Sequence, residues 1–591
     1  MSILHARWLP YAVAALLALL ATWYGLDLWN LDWRVPLYYS GDALAVASHF
    51  KTVIETGWFT HQSALGAPYG QFYGDYPQAD NLHFIAANLL RVFSGDFGVL
   101  MNVYFVIGFP LAAVTALWFL RLVGVGRVLG VALAVAFAIA PYHFIKGEGH
   151  LFLATYFVVP LALGVIYKVA VGQPLWSRRI LSGRNLATVG TLVLLSTASS
   201  YYSVFVALVL AIVGIAKLWQ TKAWRAFFGA AAAGLVIAGT MAVNLLPSIL
   251  FRLANGVNEA VLVRSPPEAE LYSFKLSSLL LPVPGHRFGP FATLRQLYDE
   301  SYPLPSEAPA LGLIAAAGFV ALVVVAVYFL LTAGRTGWRA PESQTHRLAV
   351  LSGLALVTFL FGTVGGLSTL LSFVNFPIRS WNRIAILLAL LALAAVGLLL
   401  GRLLERLLER WPGRRMLAAV LTAAVAVLLV ALAVWDQIPP VDPAARAATV
   451  ATFDSDRDFV ERIEATSEPG CLIYQLPYIA FPESPPVNGV TDADQLRMFL
   501  HSDALRWSAG GIKGRAPVDD VGALASLPVP SMLSAFRDLG VCGVVLDRAA
   551  FADGGSGLLE QLVAITGIDA TAGRDAFSSD DERFVYVRLP A

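Results

Sequence analysis

The chain reads as a polytopic α-helical membrane protein that ends in a small α/β domain. Three observations predict this. Apolar runs of about 20 residues recur through residues 1–436, each long enough to cross a hydrocarbon core roughly 30 Å thick. Hydrophobic residues make up 57% of the 591 and charged ones 14%, with a mean hydropathy of +0.67, which leaves too little polar surface for a soluble protein of this size. From about Asp436 the composition turns: Pro439, Pro440 and Pro443 punctuate it, and charges become regular.

The apolar runs predict eleven spans, at 9–28, 99–120, 129–144, 151–167, 186–199, 203–216, 227–251, 310–331, 348–370, 384–400 and 417–435. The first is too long for the core of a signal peptide and is flanked by Trp23, Tyr24 and Trp29, residues suited to an interface, so it is expected to stay uncleaved. Every second short loop is basic. Arg121 and Arg127 lie in one, Lys168, Arg178, Arg179 and Arg184 in the next, and Lys217, Lys222 and Arg225 in the third. Arg335, Arg339 and Arg347 follow, then Arg402, Arg406, Arg410, Arg414 and Arg415. Cations collect on the cytoplasmic side, so the N-terminus is expected inside and the C-terminus outside. The run 186–216 has cations at both ends, which favours a hairpin turning at Ser199-Ser200-Tyr201-Tyr202 over one long helix.

That parity sends every long connection outward: 30–98, 141–150, 252–308, a short one at 375–383, and the tail. The first is the organising stretch and is expected to form one wall of a site, because long structured loops tend to be functional. Two helices are legible in it, from Asp42 to Thr56 with Gly57 as the stop and from Asp80 to Phe93, each starting at an Asp suited to N-capping. Both carry an apolar face that suits a membrane surface. The tail, 437–591, is expected to be an extracytoplasmic α/β domain. Its helices are read at 456–464, 531–539 and 557–565, and its strands at 471–476, 541–546 and 584–589. Cys471 and Cys542 each open a strand, as a disulfide or as two buried thiols. The net charge of +1 and the lack of a basic tract exclude a nucleic-acid partner. There is no P-loop, His-Glu-x-x-His or Gly-x-Ser-x-Gly motif.

A first span, a long outer loop with Tyr39-Ser40-Gly41-Asp42 near its start, acids Asp75 and Asp80 later in it, an outward loop Pro141–His150, many spans and an outer tail together resemble the class C glycosyltransferases. The tail segments Gln475-Leu476-Pro477-Tyr478, Pro482-Glu483 and Leu505-Arg506-Trp507-Ser508 look like bacterial membrane proteins grouped with that class. The resemblance implies transfer of a hexosyl or pentosyl group from a polyprenyl-phosphate donor to a glycan or lipid acceptor of the cell envelope, at the outer face of a bacterial cytoplasmic membrane and among membrane lipids. No Asp-x-Asp or Asp-Glu pair opens the loop, so the base and any metal are not assigned by motif.

The candidate residues carry that chemistry. Asp42, in the place where the class has its loop acid, is the catalytic candidate, either orienting or deprotonating the acceptor hydroxyl; the alternative is a helix cap. Asp75 and Asp80 are binding candidates, or a turn residue and a second cap. His143, Lys146, Glu148 and His150 stand together in PYHFIKGEGHLFL, where ionisable groups are costly unless paired or used. Arg379 and Arg383, in NFPIRSWNR, suit a phosphate diester by their guanidinium forks; the alternative is snorkelling to headgroups. Asp80 and Glu148 are the expected ligands of a divalent cation, Mg²⁺ or Mn²⁺, shared with substrate phosphate. His286 and Arg287 are a weaker phosphate pair, Tyr201 and Tyr202 are interface aromatics, and His501, Asp503, Arg506 and Trp507 are weak glycan candidates. A transporter or flippase of lipid-linked glycans would need ionisable groups along a path through the spans, which look nearly free of charge; a non-enzymatic scaffold is the third reading.

Overall fold

All eleven apolar runs form helices, and where their ends differ from expectation a local cause is visible. The computed structural model describes residues 7–303, 309–332, 343–374, 378–409, 415–568 and 573–590. Loop residues Arg335, Arg339, Arg410 and Arg414 and the stretch 375–377 lie outside the described residues. Among those described, eight helices are long and apolar enough to cross a membrane: Phe97–Val123, Arg127–Lys146, Ser200–Thr221, Trp224–Asn255, Leu313–Thr332, Gln344–Gly362, Trp381–Glu409 and Met416–Gln437. Helices Leu9–Gly25, Val158–Ala170 and Gly183–Ala198 are shorter.

The hairpin in 186–216 is present. Helix Gly183–Ala198 stops at Ser199, whose backbone is extended and whose side chain accepts from the Tyr202 amide at 3.4 Å, and helix Ser200–Thr221 begins there. Two expected spans are corrected. The run 151–167 divides into Leu151–Ala154 and Val158–Ala170, with Pro160, which has no N–H for the carbonyl four residues back, in the first turn of the second. The run 348–370 ends at Gly362, where the Phe274 amide takes its carbonyl at 2.9 Å and Val364 returns a bond to Phe274 at 3.0 Å.

The long connections meet at one end of the bundle. Segment 33–39 has no regular structure, and its backbone bonds to side chains instead. Buried Asn102 donates to Trp33 and Val35 carbonyls at 3.0 and 2.9 Å and accepts from Leu37 at 3.3 Å. Helix Asp42–Thr56 follows, ended by Gly57 in the left-handed region, where glycine carries no Cβ penalty. It does not lie on an open surface: residues Ala47 to Val53 are buried, beneath the tail. Strands β1 (His61–Gln62) and β2 (Gln71–Phe72) form a short hairpin beyond it.

The tail opens with helix Pro443–Thr466, longer at its start than expected, and forms a five-stranded mixed sheet. Its strands are β3 (Leu472–Leu476), β4 (Arg506–Trp507), β5 (Val541–Asp547), β6 (Ala576–Ser578) and β7 (Phe584–Arg588), in the order β4-β3-β5-β7-β6. Pairs β3–β4 and β3–β5 are parallel, and β7 runs antiparallel to β5 and β6. The apolar patterns of β3, β5 and β7 announced them; β4 and β6 are two and three residues long, too short to show a period. Cys471 and Cys542 are joined as a disulfide beside β3 and β5.

The first long loop is sewn onto this sheet. The Trp507 amide donates to Ala64 at 2.8 Å, Ala67 donates to Trp507 at 2.9 Å, and Gly66 donates to Ala509 at 2.7 Å. A Cβ on Gly66 would come within 2.6 Å of the Gly511 Cα, so both chains need glycine at the crossing. Deeper in the same contact Asp456 accepts from Arg497 at 2.7 Å and from the Tyr39 hydroxyl at 2.8 Å, and that hydroxyl is 2.8 Å from the His501 ring. The side chains of Arg497 and Asp456 are 3% and 0% exposed. Removing one partner of such a pair strands a buried charge. Arg497→Met is therefore expected to destabilise the protein by about 3–5 kcal/mol. Arg457→Met, at a 43%-exposed guanidinium, is expected to cost less than about 1 kcal/mol. Thermal unfolding of the two full-length variants in detergent checks the ranking.

Candidate active site

The first helix of the outer loop begins at Asp42, but the cap is not Asp42. Gly41 takes the N-cap position with φ +53, and no side chain caps the helix. The carboxylate of Asp42 is thus not spent on its own helix. It points at His150, with 3.7 Å between Oδ2 and Nε2. Gly147 in the loop before His150 has a steric reason: its φ is +49, and a Cβ there would press on the Tyr38 ring at 2.9 Å.

Four residues of PYHFIKGEGH are not spread along a wet loop. Helix Pro141–Lys146 continues the third span, and His143, Lys146 and Glu148 are buried. His143 faces inward. Its ring stacks on Phe109 at 3.5 Å and its Nδ1 lies 3.0 Å from the Ala138 carbonyl, so it does not reach Asp42. Glu148 supports the wall: its Oε2 accepts from the Tyr38 amide at 3.0 Å, while Oε1 has no hydrogen-bond partner among the described residues. Burial pushes its carboxyl up to about 8, against the pull of the Tyr38 and Leu37 amides. Lys146 and His150 belong to the cluster, both within electrostatic range of Arg383. Burial, then Arg383, Lys146 and Arg379, depress His150 to about 2, so the ring stays neutral.

Asp42 itself is open, with 71% of its side chain accessible to water. The surrounding protein nonetheless displaces enough solvent to raise its pKa above the ordinary value; Arg383 and Arg379 oppose the rise and Glu483 adds to it. A raised carboxylate is a better proton acceptor than an ordinary one.

Arg379 and Arg383 come to this face from the connection before the last but one span, as expected for the pair. Their partners differ. Arg379 lies 3.0 Å from Glu483 and 3.7 Å from Glu268, over the Tyr272 ring. Arg383 stacks on Tyr201 with its Cζ 4.2 Å from the ring centre; among the described residues its buried Nε has no hydrogen-bond partner, and Asp42 and Asp80 lie within electrostatic range. Tyr201, read from sequence as an interface aromatic, is therefore the platform under Arg383.

The acids of the first loop separate. Asp75 is a latch to the tail: both its oxygens accept from Arg515 at 2.7 Å, and this pair with Asn258 holds its pKa down despite burial. Asp80 occupies the N-cap position of helix Asn81–Leu90 without capping it; instead Oδ1 accepts from the Ser200 amide and hydroxyl at 3.1 Å. It thereby caps the helix of the next-door hairpin, with burial raising it to about 6 and Arg383 opposing. Among the described residues no three His, Cys, Asp or Glu side chains gather to hold a metal ion. A cation shared by Asp80, Glu148 and substrate phosphate would need fewer protein ligands than that, and no step below runs through a metal.

The weaker candidates lie elsewhere. His286 is buried 3.5 Å from Asp436, and Arg287 donates to the Ile438 carbonyl at 2.9 Å. Trp507 is fully buried, Arg506 donates to Gly470, His501 is tied to Tyr39, and Asp503 lies 3.3 Å from Lys51. Three participants were not singled out from sequence: Arg264, Tyr76 and, as a site residue, Glu483. Their sole sequence signal is polarity in outer loops. A separate cavity of about 720 Å³, lined by Lys217, His346 and Arg402, lies toward the other end of helices Ser200–Thr221 and Trp381–Glu409, away from Asp42.

No protein-family model matches the chain, and no curated protein sequence does. Solved structures do. The chain is similar to ArnT from Cupriavidus metallidurans bound to undecaprenyl phosphate, at 12% identity over 99% of both chains with a TM-score of 0.49. It is also similar to the oligosaccharyltransferase AglB from Archaeoglobus fulgidus in complex with an inhibitory peptide and a dolichol-phosphate, at 13% identity, over 95% of this chain and 73% of that one, with a TM-score of 0.46. A third is the arabinofuranosyltransferase AftD from Mycobacteria, at 16% identity, over 92% of this chain and 35% of that one, with a TM-score of 0.44.

Glu148 gives the wall a pH signature. A carboxyl raised from 4.5 to about 8 keeps its proton in the folded state while the unfolded chain loses it, so its contribution to stability is full at low pH and falls as pH rises through that window. In Glu148→Gln that part of the dependence is removed. The drop in melting temperature between pH 6 and pH 8.5 is expected to be smaller in the variant than in wild type, measured by thermal unfolding.

Proposed function

We propose that the chain is a membrane glycosyltransferase that moves a sugar from a polyprenyl-phosphate donor to a hydroxyl of a cell-envelope acceptor, at the outer face of a bacterial cytoplasmic membrane. The observation that carries this reading is Arg383. Its half-buried guanidinium stacks on the Tyr201 ring and its Nε has no hydrogen-bond partner among the described residues, so it has donors left for an anion. It sits within electrostatic range of Asp42 and His150, so an anion bound there would lie beside a carboxylate of raised pKa. A phosphodiester on a lipid offers that anion at the level where apolar helices give way to polar loops.

In this mechanism the phosphate of the donor binds Arg383, with Lys146 and Arg379 alongside. The acceptor hydroxyl attacks the sugar carbon from the side of Asp42 and gives its proton to that carboxylate. The bond between the sugar carbon and the phosphate oxygen breaks with inversion, and polyprenyl phosphate leaves with its charge held by the cations. His150, neutral, lies against Asp42 and keeps it oriented. Asp80 and Glu148 support the walls, and the tail covers the site.

Transport along a path is disfavoured by the spans. Among the described residues their Asp, Glu, Lys and Arg side chains stand near helix ends, with none at mid-span.

Asp42→Asn is expected to lower transfer at least about 100-fold while leaving lipid-phosphate binding in place. The check is a deletion strain complemented with wild type or the variant at equal expression, with lipid-linked and surface glycans profiled. Full restoration by Asp42→Asn removes Asp42 from the chemistry, and a deletion strain with unaltered glycans removes the enzyme reading. Arg383→Gln is expected to weaken retention of polyprenyl phosphate by purified protein about tenfold or more, measured by native mass spectrometry.

A further inference from the structure

The arginine face of the site is already occupied by an anion, and that anion belongs to the protein. Glu483, from the tail, accepts from both ends of the Arg264 fork at 3.1 Å and from Arg379 at 3.0 Å. Tyr76 is a further hydrogen-bond partner. Two oxygens meeting two arginines in this way is the geometry a phosphate would adopt. The carboxylate is 26% exposed and within electrostatic range of Asp42. Its backbone has φ +58, a region that non-glycine residues rarely enter and that clusters at functional sites.

We propose that Glu483 is an internal stand-in for the donor phosphate: it holds Arg264 and Arg379 in the empty protein and is displaced from them when donor binds. This rests on the lipid-phosphate reading above. The exchange couples the tail to the donor, because the carboxylate that leaves belongs to the segment between β3 and β4. A simple docking contact is a poor description of Glu483. The tail is secured outside the site by Asp75 with Arg515, by Asp456 with Arg497 and Tyr39, and by backbone bonds from 64–67 to 507–509. In the proposed scheme the apparent donor affinity is reduced by the fraction of molecules in which Glu483 is still seated, so removing its charge tightens binding. Removing the arginine it borrows does the opposite.

The test is a titration of purified full-length protein in detergent with a polyprenyl monophosphate, read by native mass spectrometry, for wild type, Glu483→Gln and Arg264→Gln. Glu483→Gln is expected to bind about fivefold tighter than wild type and Arg264→Gln more weakly. A docking contact predicts one sign for both variants, so weaker binding by both overturns the proposal, as does Glu483→Gln binding no better than wild type. In either of those outcomes wild-type binding leaves the donor reading standing. If wild type retains no lipid phosphate, both are overturned. Should Glu483→Gln unfold, Glu483→Asp replaces it: the shorter side chain cannot span both arginines, and tighter binding is again expected.

Discussion

Segment 33–39 arrives at the site without helix or strand to satisfy its backbone, and the whole polar face depends on how it is held. Asn102 takes the amide of Leu37 and donates to two carbonyls, Glu148 takes the amide of Tyr38, and the Tyr39 hydroxyl enters the buried Asp456–Arg497 pair. Buried backbone groups without partners are expensive, so these contacts leave the segment few alternative courses. They also tie three distant parts of the chain to one short stretch. The second span, the loop after the third and the tail all meet within a few residues of Asp42.

The charges on this face are sorted by environment. Glu148, walled off, keeps its proton and serves as a neutral acceptor, whereas Asp42, whose side chain is open to water, is raised with two arginines opposing the rise. His150 between the cations is held neutral. Arg379 and Arg264 share carboxylates while Arg383 has a ring. The arrangement sets a carboxylate of raised pKa beside a group of arginines, the division on which the proposed transfer relies.

Much of the architecture was legible along the chain because its signals are local. Each of the eleven apolar runs announced helix, the cations at both ends of 186–216 announced the turn at Ser199, and Gly57 announced the end of the helix from Asp42. Local signals also misled where a distant partner intervened. Asp42 and Asp80 both look like caps, yet Gly41 caps the first helix and Asp80 caps a helix 120 residues away. Asp75 looked free in a turn, and its partner Arg515 lies 440 residues on.

Composition and periodicity by themselves determined a helical membrane body, a small α/β tail and a concentration of ionisable residues in the connections, because burial of apolar surface has a period that can be read one turn or one strand at a time. The tertiary structure decided which of those ionisable residues meet. It turned His143 into the core, spent Asp75 on the tail, set Arg383 on the Tyr201 ring and brought Glu483 onto Arg264 and Arg379. Such pairings arise between groups hundreds of residues apart, and the energy of each depends on the solvent its neighbours exclude, a quantity with no counterpart in the order of residues.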